Sequence, residues 1–563
     1  MRFDRYTWLM VLAVLVLLNV GASWRHFRLD LTEEKRYSLS APTEKILGEL
    51  DSTVSVEVYL KGDFPAVFRN LQNATRDLLL EMKDASGGRL EYRFVKPGEG
   101  LSDSLQAQVF DSLQSMGLKP YNLTVSAKPG DQSSERLIFP AAVIRYGERV
   151  EPIDLLSGAK GGDPETRMNN AESLLEFKMA DAIHHLTMKT VPQVAYLLGN
   201  GEPMKRTSAD LILTLLKSYV VDTLTLNRIP IIPGKYAAVV IVKPEVAFTD
   251  ADKLKIDQYV IYGGKVIWFI DNLHAEMDSL QGTQTQFVAY DKGLNLVDLL
   301  FKYGVRINDD LIMDMNSDQV PLAVGSEGGK PQIQMVPWPY FPLLEPSDNS
   351  PISRNLEPVL GTFVNSMDTV KAPGIRKTIL LTSSDYAHIV STPAIVTWES
   401  VKQAQDPAFY HDKDVTAGVL LEGRFHSLYA NRLPSVMRDS LRSYGAPFLE
   451  EARDPGKMIV ISDGDLVLNH VSQESGIMPM GTNPYTGDQY ANKDFFINCM
   501  DYLTNATGLI ETRNKQLVLR NLDMQKVADE RTQWQLIDIA LPILLVVLAG
   551  AVYHQVRKRQ YQK

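Results

Sequence analysis

An α/β protein framed by two transmembrane helices is the fold this sequence predicts, and three observations predict it. Long uncharged apolar runs stand near both ends of the chain. Between them, short β-type apolar segments alternate with segments of helical periodicity. The composition, 45% apolar and 22% charged, is that of an ordinary globular protein. The 563 residues suffice for about three or four domains. A single cysteine excludes an internal disulfide framework and a cysteine-rich zinc site. The formal net charge of -10 argues against a nucleic-acid partner, because a phosphate backbone attracts a basic surface.

The first element is the uncharged run 6–24, which follows a short N-terminus, 1–5, carrying Arg2 and Arg5. As a helix it would extend roughly 28 Å, close to the thickness of a bilayer core. Trp8 and Trp24 stand where interfacial aromatics belong. A cleaved signal peptide, cut near Val20-Gly21-Ala22, is the competing reading. The last apolar run is 534–553, with one acid, Asp538, near its start, Pro542 inside it, and Trp534 and Tyr553 at its ends. The basic tail 554–563 follows at once. By the positive-inside rule both termini are cytoplasmic. The expected location is a bacterial inner membrane, two-pass, with lipid contact through two helices and the acidic bulk periplasmic.

Residues 25–50 read as a juxtamembrane helix and linker, with Ser40 as cap and Pro42 early in the helix. Residues 51–156 read as a small mixed α/β domain of thioredoxin-like shape. TVSVEVYL alternates as a strand; Leu71, Ala74, Leu78, Leu79 and Met82 recur at helical spacing over 70–84; Gly87-Gly88 stops the helix and RLEYRFV resumes as a strand. Strand–helix–strand predicts a parallel pair. No CxxC occurs, so thiol exchange is excluded. Residues 157–190 form a Gly-rich joint and a connector helix over 169–187.

The largest unit is 191–510. Strands at 193–198 and 236–242, and a turn then strand over 261–270, alternate with helices at 209–220 and 250–260, which predicts an open parallel sheet covered on both faces. Insertions near 305–375 and 385–450 interrupt it, the first containing the extended segment PWPYFP at 337–342. Residues 492–503 close it with a helix, and 511–533 are a linker to the last apolar run.

Ligand candidates lie at predicted strand ends, where open α/β sheets place their sites. They are Gly199, Asn200, Gly201 and Glu202 in the turn GNGEP, Asp385 after KTILLTSS, and Asp463 and Asp465 in ISDGDLVLNH. The two last acids suit a cation, and equally suit capping of the following turn. GNGEP is neither a dinucleotide fingerprint nor a phosphate loop. Cys499, among Phe495, Phe496, Met500 and Leu503, reads as a packed core residue rather than a nucleophile. His184 and His185 are adjacent on a helix and point about 100° apart, a poor geometry for one metal. There is no HExxH and no GxSxG. No catalytic residue, metal or cofactor is predicted.

Several blocks together resemble the GldG family: DLTEEKRYSLS at 30–40, NNAESLLEFKMADAIHHL at 169–186, YVIYGGKVIWFIDN at 259–272, ISDGDLVLNH at 461–470 and NKDFFINCMDYL at 492–503. These are gliding-motility-associated auxiliary, substrate-binding-like subunits of ATP-binding-cassette transporters in Bacteroidetes. The resemblance implies an amidotransferase-like fold for 191–510, a GldF-type permease, a GldA-type ATPase and a periplasmic envelope partner. The amidotransferase nucleophile is missing, since 269–272 read Phe-Ile-Asp-Asn, so amide hydrolysis is not implied. The expected function is a non-catalytic accessory subunit coupling the permease and ATPase to periplasmic components. A membrane-tethered periplasmic solute- or glycan-binding protein, and an extracytoplasmic hydrolase with a cryptic site, stay open as alternatives.

Overall fold

The computed structural model describes residues 12–13, 16, 38–125, 134–156, 164–280, 286–327, 330–403, 406–472, 476–505, 507–514 and 524–561. The chain divides into two compact units, Met1–Gln516 and Leu517–Lys563.

The first unit begins with helix α1 (Ala41–Gly48), which has Pro42 in its first turn. A small sheet follows: β1 (Val54–Val58), helix α2 (Ala66–Ala85), β2 (Leu90–Phe94), helix α3 (Asp103–Ser115), β3 (Ala141–Tyr146) and β4 (Arg149–Asp154). Its strand order is β2-β1-β3-β4. β1 and β2 are the expected parallel pair, in register Val54↔Leu90, and β3 and β4 run antiparallel. Val54, Val56 and Val58 alternate inward and are fully buried, as are Leu71, Leu79 and Met82 of α2. Helix α4 (Pro164–Thr187) then leads out of this sheet.

The second sheet is ten-stranded. Its main strands in chain order are β5 (Gln193–Leu198), β6 (Val220–Thr225), β7 (Tyr236–Val242), β8 (Val266–Phe269), β9 (Ser317–Glu327), β10 (Lys330–Pro346), β11 (Ile375–Thr382), β13 (Thr416–Gly423) and β14 (Gly456–Ile461), with β12 (Ala387–Ser391) pairing outside it. The spatial order is β9-β10-β11-β13-β14-β8-β7-β5-β6. Strands β6, β5, β7, β8 and β14 are mutually parallel; the remaining neighbours are antiparallel. The expected open parallel sheet is thus a mixed one. The extended segment 337–342, placed in an insertion, lies inside β10 of a long hairpin. Its prolines remove ladder donors, which an edge ribbon tolerates.

Alternation along the parallel strands buries both faces. Val194, Tyr196, Ala238, Val240, Val242, Ile267, Phe269, Ile459 and Ile461 join one core, and Ala195, Leu197, Val239, Ile241, Val266, Trp268, Met458 and Val460 join the other. Helix α5 (Ala209–Ser218) contributes Leu211 and Leu215 to the first core. So does helix α7 (Asn492–Thr504), through Phe495, Phe496, Cys499 and Met500. Helix α6 (Asp250–Ile261) covers the second. Its start is fixed by Thr249, whose Oγ1 accepts the Asp252 N–H at 3.1 Å. The first core runs without a break from Val54 through Leu175, Met179 and Ile183 of α4 to Ile510. The two sheets therefore share one apolar interior.

The second unit is helix α8 (Met524–Tyr561), 38 residues with Pro542 inside it. Its segment Gln533–Arg559, in which an 18-residue window reaches a mean hydropathy of 2.4, is the one helix among the described residues long and apolar enough to cross a membrane. This corrects the two-helix frame and the two-pass location with both termini cytoplasmic and the bulk periplasmic. No N-terminal membrane helix is found among the described residues, and 6–24, with Trp8 and Trp24, lies almost wholly outside them. The expectation rested on apolar length, interfacial tryptophans and flanking arginines, and a signal segment can satisfy the length criterion equally well. Trp534 and Tyr553 lie on α8 and are exposed. They are separated by roughly 28 Å along its axis.

Candidate functional site

In the parallel part of the second sheet the chain passes from β5 to β6 on one side and then to β7 on the other. The switch point between β5 and β7 is where such sheets open a crevice at the carboxyl ends of their strands. The turn Gly199–Glu202 leaves β5 there, and Lys243 leaves β7. The crevice between them is laced by the backbone: the Asn200 carbonyl accepts N–H groups from both Glu245 and Val246 at 2.8 Å. Glu202 turns back so that its Oε2 accepts the Asn200 N–H at 2.8 Å, and Asn200 Nδ2 donates to Val246 O and Ala247 O. Gly201 has φ +88°, and a Cβ there would lie 2.7 Å from Glu245 Cβ. Glycine is needed for both reasons. These four candidates close the crevice with the protein's own atoms.

Beside them, β7, β8 and β14 end in charge. Lys243 follows a strand of purely apolar or aromatic residues and leaves it at φ 43°. Its Nζ lies 2.6 Å from Asp465 Oδ1, 2.8 Å from Glu276 Oε1 and 3.3 Å from Asp271 Oδ2. Those three carboxylates lie close enough together to hold a metal ion. The Lys243 ammonium occupies the same space, a cation supplied by the chain. Lys292, almost fully enclosed, adds a second positive charge against Glu245 at 2.6 Å and Asp271 at 3.8 Å. Asp463 is fully buried; its Oδ1 accepts the N–H groups of Asp465 and Leu466, and its Oδ2 that of Thr362. Asp271 Oδ1 accepts the Gly464 N–H. A Cβ at Gly464 would meet Lys243 Cβ at 2.8 Å and Asp271 Oδ1 at 3.0 Å.

The electrostatics follow from burial and from five acids around two lysines. Burial, then the Asp271 and Asp465 carboxylates, raise Asp463 well above its ordinary range against the three N–H donors. Burial pushes Asp465 up to about 7, with Lys243 opposing. Burial alone would lower Lys243, but Asp465, Asp271 and Glu276 outweigh it and hold its pKa above the usual lysine value. Asp385 stands apart: it follows β11 at the same edge, roughly 10 Å from β14 by strand spacing, and is exposed. Its neighbour Ser384 is engaged instead, donating from N and Oγ to buried Asp314.

The structure thus brings together Gly199–Glu202 with the Lys243 loop, and Asp463 with Asp465, while Asp385 stays separate. Sequence reading missed Lys243, Glu245, Asp271, Glu276 and Lys292. A lysine directly after YAAVVIV was the one available signal, since an ammonium at the end of a buried strand needs carboxylates.

A second region lies where the two sheets meet across α4. A cleft of about 680 Å³ is lined by Leu50, Tyr146, His184, His185, Tyr219 and Asp501 among others. A smaller one of about 250 Å³ shares His185, Tyr219 and Asp501 and adds Glu151 and Asp181. His185 Nδ1 lies 3.8 Å from Asp181 Oδ2, and Tyr219 Oη donates to Asp501 Oδ1 at 3.3 Å. Buried oxygens of Asp181 and Asp501 lack hydrogen-bond partners among the described residues. Burial, then Asp181, lift Asp501 to about 7, with His185 opposing. Burial would lower His185, but Asp181, Asp501 and Glu151 raise it. Cys499 is enclosed, and burial, then Asp501, hold its thiol well above the usual range, the opposite of what an attacking thiolate needs.

The architecture and its filled strand-end crevice define a class: a large α/β body, self-neutralised where related sheets bind ligands, in a chain with one membrane-length helix among its described residues. Residues 191–499 match the model of a family described as "ABC-type uncharacterized transport system". The match covers more than half of the chain, and the chain belongs to this ABC-transport-associated auxiliary family. A non-catalytic, accessory role in transport is consistent with that membership. Residues 33–145 match a second model, described as "Domain of unknown function (DUF7088)". No curated protein matches the chain. Among solved structures, "mmIFT52 N-terminal domain" is similar at 13% identity and a TM-score of 0.30, over 56% of this chain and 97% of that one.

Proposed function

We propose that this chain is a non-catalytic accessory subunit of an ATP-binding-cassette transport complex, carried on the membrane by Gln533–Arg559. Its partners on this reading are a GldF-type permease and a GldA-type ATPase, and its physiological setting is gliding motility. The observation that carries the reading is the family match over 191–499. The sheet edge supports it. An enzyme or solute-binding site at the switch point needs room and free polar groups, whereas here Asn200, Lys243 and Asp465 are engaged with neighbouring loops, Glu202 Oε2 is taken by the Asn200 N–H of its own turn, and only the buried Glu202 Oε1 lacks a hydrogen-bond partner among the described residues. Helix α8 alone is no conduit, and the motifs for a nucleotide-binding cassette are missing from the sequence, so energy and passage come from partners.

The test is affinity purification of the full-length chain from native membranes in mild detergent. A permease and a cassette ATPase in stoichiometric amounts are the expected companions. Recovery of the chain without either, under conditions that keep other transporter complexes intact, overturns the proposal.

A further inference from the structure

Away from the switch point, a second constellation has no role in the reading above. Strand β12 pairs antiparallel with Asp310–Asp314 and places His388 opposite Met313. On its other side Ala387 and Asp412 form a reciprocal backbone bridge, N to O at 2.8 and 2.9 Å. The Asp412 Oδ2 also accepts the Ile389 N–H at 3.0 Å. The carboxylate is thereby fixed beside His388, with lone pairs to spare.

His411 is fixed as well. Its Nδ1 lies 3.1 Å from the Phe409 carbonyl. A carbonyl only accepts, so Nδ1 carries the proton and the neutral ring keeps its lone pair on Nε2. That Nε2 lies 4.0 Å from Asp412 Oδ2. The His388 ring packs on Phe409 at 4.1 Å and lies 5.0 Å from the His411 ring, centroid to centroid. His388 Nδ1 is buried with no hydrogen-bond partner among the described residues. An orphaned imidazole nitrogen costs free energy unless something occupies it.

One ligand atom from each of His388, His411 and Asp412 lies within 4.8 Å of the others. Two ligands on a tetrahedral ion at about 2.0–2.1 Å stand roughly 3.3 Å apart. Closing the set therefore needs a shift of up to about 1.5 Å, within reach of the exposed His411 ring. The Phe409 carbonyl on His411 and the Ile389 N–H on Asp412 are the outer partners that orient metal ligands elsewhere. No lysine or arginine competes for this trio among the described ion pairs, in contrast to the Lys243 cluster.

We propose that His388, His411 and Asp412 form a binding site for one late first-row divalent transition metal ion, with Zn²⁺ as the representative ion. Two imidazoles and one carboxylate suit this class and disfavour Mg²⁺, which prefers an all-oxygen octahedron. A fourth position stays open to water. The ion would clamp the 406–412 loop onto β12.

The test is calorimetric titration of the full-length chain in detergent with ZnCl₂, beside MgCl₂, for the parent, His411→Ala, His388→Ala and Asp412→Asn. His411 is largely exposed, so its replacement leaves the fold intact. One Zn²⁺ per chain is expected in the parent, with affinity at least about tenfold weaker in each histidine variant and no Mg²⁺ uptake. X-ray absorption at the zinc edge should show nitrogen and oxygen neighbours and no sulfur. A parent that takes up no Zn²⁺, or a His411→Ala chain that binds it as tightly as the parent, overturns the proposal.

Discussion

Replacing Lys243 by methionine isolates the role of its charge. Methionine keeps an unbranched apolar stem of similar length, so packing against Gly464 is preserved while the ammonium is lost. Three carboxylates then face one another without their central cation. At an effective dielectric of about 20, each contact near 3 Å is worth on the order of 5 kcal/mol in gross Coulomb energy. Glu276 is half exposed and is discounted for solvent screening. Desolvation of the lysine and of buried Asp271 removes most of the remainder. The net expected loss is the value for breaking a buried pair, about 3–5 kcal/mol. Urea unfolding of the full-length chain in detergent measures it. Acidification should return part of the loss, because the stranded carboxylates then have raised folded-state pKa values and bind protons more readily folded than unfolded. A loss below about 1 kcal/mol, or one indifferent to pH between 5 and 8, would refute the description of Lys243 as the internal cation of this edge.

The other expectations follow the same logic. Gly464→Ala places a Cβ 2.8 Å from Lys243 Cβ and should cost about 1–3 kcal/mol by overpacking, read in the same urea experiment. Asp501 is pushed from its ordinary value of 3.8 up to about 7, so its contribution to stability is full below about 3.8 and is lost as pH rises through about 7. Asp501→Asn should therefore flatten the decline of the thermal midpoint between pH 5 and 8 and raise the midpoint at pH 8; an unchanged slope contradicts the assignment. Leu175→Ala in α4, at a site 2% exposed, should cost about 2–5 kcal/mol. It should leave a single transition reported alike by probes in either sheet, and separated transitions would break the shared-core description.

Much of the fold was legible because burial on two faces leaves continuous apolar strands such as YAAVVIV and MIVI, and because helix spacing was clear in 70–84 and 492–503. The sheet's direction was not legible: an apolar run such as ILL in β11 reads the same in parallel and antiparallel pairing, and only register distinguishes them. PWPYFP read as extended, but its pairing into a long ribbon was not legible, because proline removes ladder donors and leaves no alternation to follow. At the site, acids such as Asp463 announced themselves by lying beside glycine after a strand. Their partners Lys243, Asp271, Glu276 and Lys292 come from separate loops, and spacing along the chain holds no record of that convergence. The N-terminal span was over-read, since lack of charge sets a segment's preferred solvent without setting its structure.

Helix α8 is longer than any bilayer requires. Its polar opening, from Met524 to Gln533, continues the apolar segment without a break, extending about 14 Å beyond it. Such a rod acts as a lever. Were the spanning part to change its tilt by about 20°, an ordinary inclination for a membrane helix, the Met524 end would sweep sideways by about 5 Å. Rearrangement inside the lipid would thereby emerge outside it as a displacement large enough for a neighbouring surface to register.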